Sequence, residues 1–298
     1  MFKGITDEAF DRYFKTEEDC LKYLADLKWK EGYQCKKCGC ELWWHGRKWY
    51  DRRCRQCSYN ESPTSGTLFH KLKFSLLKAF KICFILSVRK KGMSGCELAR
   101  AFGIRQQTAW YFKRKVQQAM KSSEKYPITG RIEVDEFVVG QKERGNQGRA
   151  KGERKIIMVG LEKVKRNRKM GRAYAQCIKG YGADDFKAFF EGHIDVKAHV
   201  ITDGWTGYSP LKGIYKGLEQ RQSGGGKNFP QLHTHIMRFK AWLRGVHHHC
   251  SEDHIQGYLD EFHFRFNRRG FLDSILDKLL GRMVSAAPLF ISLREQNE

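Results

Sequence analysis

No stretch of this 298-residue chain reaches the eighteen or so consecutive apolar residues of a membrane-spanning helix. The opening Met1-Phe2-Lys3-Gly4 lacks the apolar core of a secretion signal. Both absences point to a cytoplasmic protein with no membrane partner. Cysteine is too sparse for a disulfide scaffold, with 10 in the whole chain. In a reducing compartment such cysteines read as metal ligands and core thiols. Acidic residues are the conspicuous deficit: 33 Asp and Glu stand against 56 Lys and Arg, for a net charge of +23.

What is present excludes disorder. Hydrophobic residues make up 41% and aromatics 13%, enough for a packed core. The basic excess is not a tail. Residues 1–120 hold 25 Lys and Arg against 12 Asp and Glu, and residues 121–298 hold 31 against 21. A folded surface this basic repels itself until a polyanion neutralises it, and nucleic acid is the expected polyanion.

Cys35-Lys36-Lys37-Cys38 and Cys54-Arg55-Gln56-Cys57 form two Cys-x-x-Cys knuckles, fifteen residues apart. A two-residue gap lets both thiolates of a knuckle reach one ion, and two knuckles supply a tetrahedral set. The expectation is a zinc ribbon with short strands around Leu42–Tyr50, preceded by a helix, over residues 1–62. Four thiolates close the coordination sphere, so this Zn²⁺ is expected to be structural. Cys40 has the wrong spacing for a ligand. Cys20, Cys83, Cys96, Cys177 and Cys250 stand singly and read as core thiols.

Over residues 63–125 the pattern is helical. Leu76, Leu77, Phe80, Cys83, Phe84 and Val88 recur at helical spacing. Ser94 and Glu97 have the spacing of a capping box, and Gly103 makes a turn before a second helix that runs to about Met120. Short helix, glycine turn and second helix together suggest a DNA-binding helix-turn-helix. Arg105, Gln106 and Gln107 open the second helix with groups able to donate to base edges. Lys113, Arg114 and Lys115 suit phosphates.

From residue 126 the periodicity turns to strands: Ile132–Gly140, Ile156–Leu161, Ala173–Ile178, then a helix at Ala183–His193 and a strand at Ala198–Asp203. Helices follow near 233–245 and 252–267. A three-stranded meander, a helix, a strand and then helices is the order of an RNase H-like fold; any other α/β domain is the alternative. The whole chain thus reads as an α+β multidomain protein, with residues 126–298 as the catalytic domain. Asp135 lies inside the first strand and Asp203 ends the fourth. In this order the two strands are neighbours, so the carboxylates would meet. Paired carboxylates can hold divalent ions, Mg²⁺ or Mn²⁺, for phosphodiester chemistry. His247-His248-His249 do not converge on one ion, since consecutive residues diverge. Ser223-Gly224-Gly225-Gly226-Lys227 lacks the spacing of a phosphate loop and reads as a flexible loop.

Several stretches carry a family resemblance: Cys35–Cys57, Thr64–Lys71, Glu97-Leu98-Ala99-Arg100, Val134-Asp135-Glu136, Thr202-Asp203-Gly204, Leu232-His233-Thr234 and Tyr258–Arg269. From about residue 15 to 270 the chain resembles bacterial insertion-sequence transposases that join a zinc ribbon and a helix-turn-helix to an ISXO2-like DDE domain, relatives of the Merlin elements. The resemblance implies Asp135 and Asp203 as the first two metal ligands and cut-and-join chemistry on inverted-repeat ends and target DNA. It also implies a nucleoid-associated bacterial protein, a dimer or larger on DNA, and Lys240 as a DNA contact. The third active-site residue, Glu or Asn in the family, falls at Arg238, a permanent cation that cannot ligate a metal. His233, His235 or Glu261 could substitute; two aspartates with waters could suffice; or the copy is a silent, DNA-binding relative. Glu261 also has an ordinary reading as an exposed ion pair with Arg265 at i+4. A nuclease that cuts without joining is not separated by sequence from a transposase.

Overall fold

The computed structural model describes residues 1–122, 124–140, 154–164, 170–222, 224, 227–247 and 250–289. Most of the Ser223–Lys227 loop and of the histidine run lies outside them. Two compact units result, one of Met1–Met120 with Gly270–Glu298 and one of Lys121–Arg269.

The first unit begins with α1 (Asp7–Tyr13) and α2 (Glu17–Lys28), each opened by a threonine cap, Thr6 and Thr16. Three short antiparallel strands follow, β1 (Trp43–His45), β2 (Arg52–Cys54) and β3 (Asn60–Glu61). Next comes α3 (Leu76–Val88), apolar on most sides and buried at nine positions, then α4 (Gly95–Phe102) and α5 (Gln106–Met120). The Ser94–Glu97 capping box forms as expected, and Gly103 takes the left-handed conformation (φ 60°) that ends α4. Rings of Phe2, Phe10, Phe14, Tyr23, Phe80 and Phe84 interlock at centroid separations of 5.1–6.4 Å.

The last helix, α9 (Ile275–Ser285), belongs to this unit, although sequence alone put it in the catalytic stretch. Its amphipathic face explains the docking. Leu276, Leu279, Leu280 and Met283 are fully buried, Met283 Sδ lies 3.4 Å from Cys83 Sγ, and Asp277 accepts from the Tyr23 hydroxyl at 2.5 Å.

One buried ion pair ties α2 to the ribbon. Lys28 Nζ lies 2.7 Å from Glu61 Oε1, with side chains 7% and 1% exposed, and donates to the carbonyls of Ser62 and Ser65. Removing one partner leaves an uncompensated buried charge. Glu61→Ala is therefore expected to cost about 3–5 kcal/mol, read as a lowered urea midpoint. A loss below about 1 kcal/mol, typical of exposed pairs, would refute this placement.

The second unit is a mixed five-stranded sheet. β4 (Arg131–Val139), β5 (Lys155–Lys163) and β6 (Met170–Ile178) form an antiparallel meander. After α6 (Ala183–His193), β7 (His199–Thr202) returns parallel to β4, and β8 (Leu218–Gln220), unforeseen because it is only three residues long, lies parallel outside β7. The order is β6-β5-β4-β7-β8. No side chain caps α6: Gly182 is its N-cap, while Asp184 and Asp185 sit in the first turn. Ile132, Val134, Ile156, Met158 and Val200 face one core with Phe186, Phe189 and Phe190 of α6. Phe137, Ile157, Val159, Leu161 and Ile201 face another with α7 (Pro230–Val246) and α8 (Glu252–Asn267). Among the described residues no helix is long and apolar enough to cross a membrane.

Candidate active site and metal centres

The ladder between β4 and β7 pairs Arg131–Glu133 with His199–Ile201. Two residues beyond its last pair stand Asp135 and Asp203, at corresponding positions of the parallel strands. Successive side chains alternate between sheet faces. Asp135 therefore shares the face of Phe137, toward α7, and Asp203 shares the face of Ile201. Glu136 points to the opposite face, toward the α6 core. Yet Asp135, Glu136 and Asp203 each offer a carboxylate oxygen within 4.8 Å of the other two. They meet just past the last rung of the parallel β4–β7 ladder, on its carboxyl side, the side on which open α/β sheets bind ligands.

Each carboxylate is held. Asp203 Oδ1 accepts from the Trp205 amide at 3.0 Å. The carbonyls of Asp203 and Trp205 both accept from Gln220 Nε2 of β8, and the Trp205 indole donates to Tyr181 O. Asp135 Oδ1 accepts from the Glu136 amide at 2.9 Å. Glu136 Oε2 accepts from the hydroxyl of Tyr208 at 2.7 Å. Tyr208 is fully buried, and burial beside Glu136 pushes its phenol far above the ordinary range, so it remains a donor. Hard oxygens in such a cluster suit a divalent cation, and the three residues could hold one.

Sequence reasoning missed Glu136. It stood beside Asp135 in plain view, but pleat alternation argues against adjacent residues sharing a site. In the fold its Oε2 accepts from the Tyr208 hydroxyl, 72 residues away, and a carboxylate oxygen still falls within 4.8 Å of the two aspartates.

The candidate substitutes separate clearly. His233, in the first turn of α7, places Nε2 3.3 Å from Asp135 Oδ2. His235 and Glu261 are not at the carboxylates. His235 Nε2 meets His263 Nε2 at 3.1 Å inside the second core. Glu261 pairs with Arg265 at 2.7 Å as its spacing suggested, but both are buried, at 0% and 7%, and not on the exposed face expected. Lys240 lies over the Phe137 ring, 5.2 Å from its centroid, on the same face as Asp135. Arg238 turns elsewhere. It is five residues from His233, roughly 140° around the helix, and its guanidinium reaches 3.9 Å from Met170 Sδ on the edge strand β6.

Burial depresses three histidines of this unit: His235 to about 2, His263 and His193 to about 4. An unfolded histidine titrates near 6.5. Below that pH the unfolded chain binds protons that the folded unit refuses, so stability is full above about pH 6.5 and falls toward pH 4. Each histidine contributes up to about 1.4 kcal/mol per pH unit. The urea midpoint of this unit should drop between pH 7 and pH 5; a constant midpoint would contradict the placement.

In the first unit the four knuckle cysteines gather within 4.8 Å. Cys35 and Cys57 Sγ are 3.6 Å apart, Cys38 and Cys54 Sγ 3.5 Å. A tetrahedron with metal–sulfur bonds of 2.3 Å has edges of about 3.8 Å, so the donors fit Zn²⁺. Each knuckle ends in a left-handed residue, Gly39 (φ 76°) and Ser58 (φ 57°), whose amide returns to the first cysteine's carbonyl. Amides of Cys57 and Gln56 hold the Cys54 thiol down to about 6, favouring the thiolate. Of the lone cysteines, Cys20 and Cys83 are core thiols as expected, but Cys96 is exposed.

Arg105, just before α5, and Gln106 and Gln107 in its first turn are exposed. Lys113 is buried instead of facing phosphate: its Nζ caps the Met93 carbonyl at 2.6 Å. Arg114 reaches Gln117 and Lys115 reaches the His70 carbonyl, both from half-buried positions.

Residues 127–267, just under half of the chain, match the sequence family described as ISXO2-like transposase domain. That match supports a transposase function in general terms. No curated protein and no solved structure matches the chain.

Proposed function

We propose that this protein is a DNA transposase of an insertion sequence, cleaving element ends and joining them to target DNA with Mg²⁺ or Mn²⁺. The single observation that carries the reading is the convergence of Asp135, Glu136 and Asp203 within 4.8 Å. The sheet order, an antiparallel meander followed by parallel strands, supports an RNase H-like domain around it. The family match over the same residues supports the reaction class.

Divalent ions at these oxygens would supply Lewis-acid activation of a water or 3′-hydroxyl and stabilise the leaving oxygen. Asp135 and Asp203 provide the paired negative charge from adjacent parallel strands. Tyr208 holds the Glu136 carboxylate through one oxygen, and Glu136 offers an oxygen within 4.8 Å of theirs. His233 stands beside Asp135 at the mouth of the site. Lys240, on the same stripe of α7 seven residues on, is suited to a phosphate of the bound strand. The net charge of +23 and the polar approach to α5, with Arg105 before it and Gln106 and Gln107 in its first turn all exposed after the Gly103 turn, support duplex binding by a helix-turn-helix. The four thiolates are assigned to Zn²⁺, which holds the ribbon. Inverted-repeat and target DNA are the partners, and two ends call for at least a dimer.

The second reading is a catalytically silent DNA-binding relative, favoured by a cation at Arg238. Cleavage of labelled element-end DNA tests the proposal. It is expected in Mg²⁺ or Mn²⁺ and absent in EDTA; cleavage that persists in EDTA would overturn the metal-dependent mechanism.

A further inference from the structure

The ribbon carries a surface that its metal site does not explain. Residues 35–60 hold seven Lys and Arg against two Asp and Glu. One of the seven, Arg52, is absorbed internally, stacked 4.2 Å from the Trp43 ring centroid and 4.4 Å from that of Trp29. The others include Arg47, Lys48, Arg53 and Arg55, all exposed. Among them stand two large aromatics in water: Trp44 is 52% exposed and Trp49 76%. Two indoles exposed on one small ribbon leave large rings, of the kind enriched at interfaces, available for a partner.

The loop that presents Trp49 is built, not slack. The Gly46 amide donates to Asp51 O and the Asp51 amide to Lys48 O. The Arg47 amide donates to Asn60 Oδ1 at 3.1 Å, and Asn60 Nδ2 donates to buried Asp51 at 2.7 Å. Position 46 admits only glycine: a Cβ there would fall 2.3 Å from Asn60 Oδ1 and 2.4 Å from Asp51 Cβ. Tyr50 adopts φ 65°, a left-handed conformation that side chains take at a cost. The fixed tip displays Arg47, Lys48 and Trp49. On the strand behind it Trp44 lies opposite Arg53, with the Arg55 guanidinium 5.4 Å from its ring.

Exposed indoles held among cations are suited to nucleic acid whose base faces are open: rings stack on bases and cations take the phosphates. Intact duplex hides its base faces, so the complementary partner is single-stranded DNA. We propose that the Arg47-Lys48-Trp49 tip, with Trp44, Arg53 and Arg55, is a stacking surface for unpaired DNA, such as strands opened at a cut end. This rests on the chain binding DNA, but not on its cleaving it.

The test compares full-length protein with Trp49→Ala, Trp49→Phe and Arg47→Ala/Lys48→Ala, by fluorescence anisotropy on a labelled 20-nucleotide single strand and on the same sequence as duplex. Trp49→Ala is expected to weaken single-strand binding by about 5- to 150-fold, the range of one base–aromatic stack, with duplex binding unchanged within about twofold. Trp49→Phe keeps most of the affinity, since a smaller ring still stacks. The double cation variant lowers the log–log salt slope on single strands by about 1.4. Zinc content near one per chain controls for folding.

Unchanged single-strand affinity in Trp49→Ala overturns the proposal. So does an equal loss on duplex, which would mean that the tip reads backbone. A change in sedimentation with no change in DNA affinity would make the occupant a protein and overturn it as well. Failure of the wild type to bind any DNA would sink the DNA-binding reading with it; wild-type duplex binding with no stacking contribution sinks this inference alone.

Discussion

Asp135→Ala and Asp203→Ala are each expected to reduce cleavage and strand transfer by at least on the order of 10³-fold, several kcal/mol of transition-state stabilisation, while DNA binding stays within a few-fold. The expectation follows from position. The two aspartates lie beyond the last β4–β7 pair, Glu133 with Ile201, and although Asp135 pairs with Val159 of β5 through its backbone, an alanine keeps that backbone pairing. Their charges are gathered with that of Glu136 within 4.8 Å. Such convergence is repulsive until a cation neutralises it, and removing one carboxylate should weaken Mn²⁺ binding in proportion to the lost activity. Retained joining by either variant, with unchanged Mn²⁺ affinity, would remove these residues from the site.

Stripping metal from the knuckles is expected to unfold the ribbon outright. Structural zinc contributes about 10–16 kcal/mol in small zinc domains, more than the stability of most whole domains. Apart from the Lys28–Glu61 pair and the Arg52 stack, little else holds this region. Its three strands have three, three and two residues, and its apolar cluster is Ala25, Trp29 and Tyr33 packed on Cys35 and Cys54. Chelation or Cys54→Ser should release Trp29 and Trp43 from their stacks on Arg52 and expose the amides of residues 29–61 to hydrogen exchange, with α3 and α5 still protected. Full protection of the ribbon after complete zinc removal would contradict the metal assignment.

Much of this architecture was legible because it rests on local chemistry. The Cys-x-x-Cys spacing fixed the thiolate cluster, the Ser94–Glu97 box and Gly103 fixed α4, and apolar periodicity located β4 to β7 and the helices around them. What escaped depends on distant partners. β8 is too short to show a period. α9 reads as one more amphipathic helix, and only the buried fit of Met283 on Cys83 assigns it to the first unit. Lys113 looks like a phosphate ligand until Met93 O is found to take its ammonium. Glu261 and Arg265 kept their pairing but moved from surface to interior, because helical spacing fixes who meets and not what covers them. At the site, Asp135 and Asp203 followed from strand order. Glu136 did not, since its place in the cluster shows only in the fold, where it also accepts from the distant Tyr208 hydroxyl. Arg238 looked like a defect in linear spacing, whereas helix geometry turns it toward Met170.

The most direct measurement is strand transfer by the wild-type chain, using pre-cleaved element ends and plasmid target in Mg²⁺ or Mn²⁺, beside Arg238→Asn. Joined product from the wild type, at a rate within about tenfold of the variant, is the expected result for a carboxylate site that draws no ligand from position 238. No joining by the wild type, with joining restored by Arg238→Asn, would contradict it and leave a silent copy that binds DNA.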